Sequence, residues 1–299
     1  MVHVNDIRNK AKRAQIRQKL KVDKEKAKQE RKLKRKREAQ ELGEDAPPKQ
    51  VPKTQDSTRE ADNTVVAPDD EEVLADEEQD EFSEYFANLK KPKIMITTRP
   101  RPSSSLFKFI SDLMLMFPNS FFYPRRTFGL SDIKKWAHNK KFTHLLVLGE
   151  KANACNQMLV AHLPIGPTML FKISNVTHAK DIRGHANKSD HLPEIILNRF
   201  QTRLGHRVGR FLGSMFQHEP EFRGRNVVTF HNQRDFIFVR HHRYQFSETG
   251  EKAKLHEIGP RFTMKMRWIM ADAFDTEHGE YEWVHKRKQE ETSRRKFAL

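Results

Sequence analysis

Between residues 225 and 270 the chain carries two apolar runs whose spacing leaves little freedom of fold. In the second, Phe262, Met264, Met266, Trp268 and Met270 alternate with Arg261, Thr263, Lys265, Arg267 and Ile269. Period-two alternation sends the two sets to opposite faces of a strand, so one face is core and the other basic. In the first, Phe236, Ile237, Phe238 and Val239 form an unbroken aromatic and β-branched block. That is the pattern expected of a strand buried on both faces. The block runs directly into Arg240, His241, His242, Arg243 and Tyr244, so the strand delivers cationic and aromatic groups to its end. A sheet that is apolar inside and positive outside suits an anionic partner.

Charge is segregated along the 299 residues, whose net is +16. Residues 1–40 hold 16 Lys/Arg against 5 Asp/Glu, residues 41–89 hold 3 against 16, and residues 90–299 hold 37 against 19. A basic arm, an acidic linker and a basic body is the layout of a nucleic-acid binder. The lone Cys155 rules out a disulfide framework and a thiolate zinc site, and fits a reducing compartment. No apolar run approaches the roughly 20 residues of a membrane span, and the charged N-terminus lacks the apolar stretch of a secretory signal. Basic clusters at residues 32–37 and 294–296 could serve nuclear import, or simply belong to solvated helices.

These shifts divide the chain into a basic arm (1–40), an acidic linker (41–91), a folded body (92–276) and a charged C-terminal helix or tail (277–299). The arm is too poor in apolar residues to offset the entropy of ordering, so it is expected to be disordered or extended. It is either a solvated tail or a segment that orders on RNA through Arg13, Arg17, Lys32, Arg35 and Arg37. Residues 41–80 are expected to be disordered. Phe82, Tyr85, Phe86 and Leu89 follow at helical spacing, as a short helix docked on its own domain or a peptide that grips a partner.

In the body, strands are expected near residues 94–97, 121–123, 144–148 and 168–173, with helices over 106–117 and from about 130. A second set has strands near 194–198, 226–230, 235–245 and 261–269, a helix over 204–216 and a charged helix from about 277. This alternation argues an α/β class. Its similar order in two parts, about 92–180 and 190–276, suggests an internal duplication.

Catalytic and cofactor signatures are missing. No glycine-rich loop is followed by Lys and Ser/Thr, and the glycines at 205, 209 and 213 match no dinucleotide fingerprint. They read as close helix packing or as backbone brought near a phosphate. The fifteen histidines include no His-Glu-x-x-His run, and His241 and His242 point to opposite strand faces. No metal, cofactor or catalytic residue is therefore assigned. Phosphate chemistry is better served. The turn Thr97, Thr98, Arg99, Pro100, Arg101, Pro102, Ser103, Ser104 and Ser105 joins a strand to a helix N-terminus, offering N–H groups, hydroxyls and two arginines. Arg125 and Arg126 follow a strand end. Arg240, His242 and Tyr244 share a strand face and, with Arg243, could stack on bases and hold phosphates. Arg261 follows a Gly-Pro turn, where it either faces RNA or pairs with a carboxylate of the fold. Lys265 and Arg267 complete the basic face.

Five strings together resemble the Brix domain. They are Ile94 with Thr97, Thr98, Arg99 and Pro100; Phe121, Tyr123 and Arg125; Phe222, Arg223, Gly224, Arg225, Asn226 and on to Phe230; Asn232 to Arg240; and Glu257, Ile258, Gly259, Pro260 and Arg261. The resemblance covers roughly residues 93–275. It implies two similar α/β halves, each related to the anticodon-binding domain of class II aminoacyl-tRNA synthetases, with no established catalytic residues. It also implies a nuclear, nucleolar factor of large-subunit assembly. Such a factor binds precursor rRNA, pairs with a dedicated small maturation protein and works among other assembly factors and ribosomal proteins, with no membrane. The expected mechanism is a non-enzymatic RNA clamp. A protein-only scaffold and, against the lack of paired carboxylates, an RNA-processing enzyme are the alternatives.

Overall fold

A computed structural model describes residues 9–42, 51–54, 57–60, 63–67, 70–187, 189–219, 221–248, 250, 252–274, 279–286 and 295–299. It divides into two units, Met1–Thr54 and Gln55–Leu299. In the first, α1 (Lys10–Leu42) is a single helix of 33 residues. At 1.5 Å per residue it is about 50 Å long. The described part of the arm is therefore helical, not disordered or extended. Its Lys, Arg, Gln, Glu and Ala content favours helix, and neither Gly nor Pro interrupts it. None of its described side chains is buried, so no core supports it.

The second unit begins with a strap, α2 (Glu71–Gln79) and α3 (Ser83–Phe86). The first half of the body follows as β1 (Ile94–Thr98), α4 (Ser104–Met116), β2 (Ser120–Phe122), α5 (Leu130–Asn139), β3 (His144–Lys151), β4 (Ala154–His162) and β5 (Thr168–Thr177). The second half is β6 (Glu194–Asn198), α6 (Arg203–Gly213), β7 (Asn226–Gln233), β8 (Phe236–Phe246), β9 (Ala253–Glu257), β10 (Arg261–Met270) and β11 (Tyr281–Val284). One mixed sheet of eleven strands runs β2-β1-β3-β4-β5-β10-β8-β7-β6, with β9 on β8 and β11 on β10.

The duplication is visible in the pairing. β1 is parallel to β3, which turns back into β4, which turns back into β5. In the same way β6 is parallel to β7, which turns back into β8, which pairs antiparallel with β10. Both hairpins turn on two residues with positive φ, Ala152 and Asn153 in one half and Arg234 and Asp235 in the other. Such turns match the strand twist. The halves join along β5 and β10, from Arg261 opposite Thr177 to Met270 opposite Thr168.

The two sheet faces differ. α4 and α6 lie on one face, where Leu106, Phe109, Leu113, Phe211 and Leu212 pack with Ile94, Leu146, Phe171, Phe230, Val239 and Met264 in one core. On the other face, Ile133 and Ala137 of α5 pack over Met95, Leu145 and Val147. β1 is accordingly buried at all five positions. The second half has nothing corresponding to β2 and α5 between β6 and β7, so its outer face stays open. Phe236 is 41% exposed and Phe238 partly exposed, while Ile237 and Val239 are fully buried. The expectation of a strand buried on both faces fails here because, among the described residues of this unit, no helix covers this side.

The acidic segment is also more ordered than expected. Asp70 caps α2 by accepting from the N–H groups of Glu72 and Val73. Phe82 and Tyr85 are buried, so the aromatic cluster docks on its own domain, while Leu89 stays exposed. Past β10, the residues expected to start a charged helix instead supply β11, with Trp283 opposite Ile269. Residues 287–294 of that stretch, including Arg294, lie outside the described residues. The chain then returns to the body, where Ala298 and Leu299 both donate backbone N–H groups to Asp235.

Candidate nucleic-acid interface

The open face of the second half collects much of the basic and aromatic chemistry. β8 places Phe236, Phe238, Arg240, His242 and Tyr244 on it, with Ile237, Val239 and His241 buried between the first four. β10 adds Arg261, Lys265 and Arg267, the last beside a register irregularity that leaves Trp268 also partly exposed. β5 adds Lys172, directly opposite Lys265. The Lys265 ammonium lies 5.0 Å over the Phe236 ring, and the Arg240 guanidinium 5.9 Å over Phe238. Cations held against aromatic planes in this way form a surface with the chemistry to stack bases and to neutralise phosphates. Sequence reasoning missed Phe236, Phe238 and Lys172 as surface groups. The phenylalanines looked like core, and Lys172 became significant only through its register with Lys265.

Several of these groups are held by the fold. Arg240 donates through Nη1 to the carbonyls of Val239 (2.8 Å) and Phe262 (3.3 Å), and partial burial lowers its pKa from the usual arginine value. Burial also lowers the His242 pKa, against the opposing pull of Glu257, which favours a neutral ring at neutral pH. Tyr244 donates its hydroxyl to the Glu194 carboxylate, so its ring, not its OH, is what the face offers. Arg261 pairs with Glu257 at 3.0 Å, the carboxylate alternative left open above. Arg243 falls on the other side of β8, in register with His256 and Asn226. It therefore does not join Arg240, His242 and Tyr244. His241 is buried with Nδ1 against the Gly259 carbonyl. Gly259 has φ +84°, and a Cβ there would lie 2.7 Å from Ala179 Cα, so only glycine fits where the chain turns into β10.

The remaining sequence-derived residues sit elsewhere. Arg99, Arg101, Ser103 and Ser104 follow β1, while Arg125 and Arg126 follow β2. The expected phosphate cradle is already filled. Glu150 accepts from the Ser103 N–H (3.0 Å) and hydroxyl (2.5 Å), and Arg99 donates to the Glu150 carbonyl at 2.8 Å. The chain's own carboxylate thus caps α4 where an anion was expected. Arg101, Ser104 and Arg126 remain exposed, and Arg125 donates its Nε to the Phe128 carbonyl. Arg13, Arg17, Lys32, Arg35 and Arg37 all lie on α1.

A second basic surface, on α6, is covered by the strap. Arg210 binds the carboxylate of Asp80, reaches Glu77 at 3.3 Å and lies 4.4 Å over the Phe86 ring. Arg207 pairs with Glu81 (2.7 Å) and Glu282 (3.0 Å), and Arg203 with Glu72 (2.6 Å). The glycines of α6 act through packing. A Cβ on Gly213 would come 2.8 Å from the Phe86 ring, so a side chain there would displace the strap. Beneath the strap, the Tyr85 hydroxyl meets His162 Nε2 at 3.0 Å, and His162 Nδ1 meets the Gly166 carbonyl at 2.8 Å. His144 is held between the Thr143 and Ser214 hydroxyls, 2.9 and 3.0 Å away. Burial lowers both histidine pKa values, His144 the more strongly. Cys155 is buried and its thiol pKa is pushed up to about 12, so it is inert at neutral pH. No cluster of potential metal ligands occurs among the described residues, and no described helix is long and apolar enough to cross a membrane.

Comparison with known proteins places this geometry in a lineage. The family model described as "Brix domain" matches residues 100–268. A Brix domain-containing protein of Caenorhabditis elegans is 49% identical over 259 residues, covering 87% of this chain and 67% of its own. Ribosome production factor 1 of Pongo abelii is 47% identical over 299 residues, covering 99% of this chain and 85% of its own. Probable ribosome production factor 1 of Drosophila melanogaster is 44% identical over 300 residues, covering 98% and 74%.

Proposed function

The chain belongs to the Brix domain family, and from that premise we propose that it is a ribosome biogenesis factor that grips precursor rRNA of the large subunit through the open face of its second half. The observation that carries the reading is the platform of Lys172, Arg240, Lys265 and Arg267 around the exposed Phe236 and the partly buried Phe238. Backbone phosphates would be neutralised by the cations, and unpaired bases would stack on the rings. Arg101, Ser104, Arg125 and Arg126 would add contacts at the strand ends of the first half, and the basic face of α1 residues would add charge without base readout. The naming of its relatives as ribosome production factors supports the assembly role.

The protein acts without chemistry in this reading, holding an rRNA conformation in the nucleolus until later factors dock. A dedicated small maturation protein and neighbouring ribosomal proteins complete the assembly. Protein–RNA crosslinking in cells, comparing the natural chain with the Arg240→Ala/Lys265→Ala/Arg267→Ala variant, tests this directly. Focused crosslinks in large-subunit precursor RNA that vanish in the variant are expected. Crosslinks that persist unchanged would remove the open face from the account.

A protein-only scaffold has one observation in its favour. The basic face of α6 already binds an acidic peptide, the chain's own strap, so basic surfaces of this fold can accept acidic segments. That reading requires a purified chain with no affinity for rRNA fragments at moderate salt.

A further inference from the structure

A cleft of about 430 Å³ opens on the first half, between the end of β2, the loop after it and α5. It lies on the α5 side of the sheet, apart from the open platform of the second half. Its walls are aromatic: Tyr123 is 37% exposed, Phe128 45% and Trp136 44%. Phe128 and Trp136 meet nearly at right angles, with ring centroids 4.9 Å apart, and so form a corner. Single exposed aromatics need no explanation, but three around one cleft leave flat apolar faces toward a common space. The volume falls within the range of sites that hold small ligands.

Two further observations define the occupant. Thr97 lines the cleft on the same side as Met95, is 1% exposed, and its hydroxyl has no hydrogen-bond partner among the described residues. A hydroxyl left in that state is costly, and a ligand carrying donors and acceptors along one edge would satisfy it. The rim is cationic. Arg125, Arg126 and Lys140 line it together with no acidic residue, and the Lys140 ammonium lies 4.8 Å over the Tyr123 ring. Arg125 is braced at the rim by its Nε bond to the Phe128 carbonyl, 3.1 Å long.

We propose that this cleft receives one unstacked base of single-stranded RNA, with its ring against Trp136 and Tyr123, its polar edge at Thr97 and its phosphate on Arg125 and Arg126. The inference deepens the RNA-binding reading and rests on it, but assigns a different task. The open platform holds phosphates and stacks bases on a flat face, whereas the cleft encloses a single base turned out of its helix. A paired duplex cannot enter it. Because a threonine hydroxyl both donates and accepts, discrimination among bases is weak.

The test is photocrosslinking of the full chain to a single-stranded RNA octamer bearing 4-thiouridine, with crosslinked peptides identified by mass spectrometry. Crosslinks are expected at Tyr123 or Trp136, competed by unlabelled single strand and not by the matching duplex. Thr97→Val keeps the shape and removes the hydroxyl, and should lower yield at the cleft about fivefold. Trp136→Leu removes a stacking wall and should lower it about tenfold. Neither variant should lower the thermal midpoint, and Thr97→Val should raise it. Cleft crosslinks that ignore both substitutions overturn the assignment. Crosslinks confined to residues 236–244 overturn it while leaving the RNA platform intact, and none anywhere on the body would overturn both. A hexaglutamate peptide that suppresses the Trp136 crosslink as fully as unlabelled RNA would reassign the cleft to a protein partner.

Discussion

The two halves of the sheet follow one strand plan, yet the first is roofed on both faces and the second on one. Between its two parallel strands the first half inserts α4, β2 and α5, whereas the second inserts α6 and a single 3-10 turn, Phe222–Gly224. α5 therefore covers Met95, Leu145 and Val147 with Ile133 and Ala137, and the matching side of β7, β8 and β10 meets solvent. One copy of the fold buries this face and the other leaves it open. The omission of a single strand–helix insertion is enough to convert a core into a platform.

The contrast can be attacked from both sides. Leu145→Ala, beneath α5, should cost about 2–5 kcal/mol by urea unfolding, since it empties a packed site. A change under 1 kcal/mol would mean that α5 does not cover the sheet as described. On the open side, Arg240→Ala/Lys265→Ala/Arg267→Ala should leave the unfolding midpoint almost unmoved. It should weaken binding to an rRNA fragment more than roughly tenfold at low salt, and flatten the log–log salt dependence by about 2–3. An unchanged slope in fluorescence anisotropy would show that these three groups neutralise no phosphate.

Acid should expose the buried polar network of the first half. His144 and His162 are held neutral by burial, so their folded pKa values lie below the unfolded value near 6.5. Their contribution is complete above pH 6.5 and is lost as pH falls, because the unfolded chain then binds protons that the folded one refuses. Each histidine should add up to about 1.4 kcal/mol per pH unit to that loss. A urea midpoint that stays flat from pH 7.5 to 5 would contradict the neutral assignment. The smallest effect belongs to Ile196→Ala on the open side of β6. At 45% exposure its stability change should stay within about 0.5 kcal/mol, the counterpart to Leu145.

The sequence made some of this legible and hid the rest for physical reasons. The alternation gave the orientation of β10 from Phe262 to Met266, and the apolar face of α4 was plain. A register irregularity between Met266 and Trp268 then breaks the period, so Ile269 enters the core and Trp268, expected there, is only partly buried. β4 escaped notice because its first half is polar and because the preceding turn is built on Ala152 and Asn153, without the glycine that usually marks such hairpins. The acidic strap read as disordered since its ordering partners, Arg203, Arg207 and Arg210, lie some 130 positions away. Local composition cannot report a counterion supplied by a distant helix. The same limit applied to Phe236 and Phe238. Their exposure depends on a helix missing over a neighbouring strand, which no window around them contains. The Arg99 turn was located correctly as a helix N-terminus with anion affinity, but Glu150 on β3 proved to be the anion.

The antiparallel seam between β5 and β10 has a consequence for how the molecule coexists with its own copies. Two separate half-domains would expose four sheet margins, each a template for pairing with another chain. Joining them edge to edge leaves the main path ending at β2, with three residues, and β6, with five. The ten- and eleven-residue strands β5, β8 and β10 are all flanked on both sides. A protein with a deliberately bare, partly aromatic sheet face thus offers little backbone along which strands could zip together, and is protected from aggregation at the margins while its face stays available.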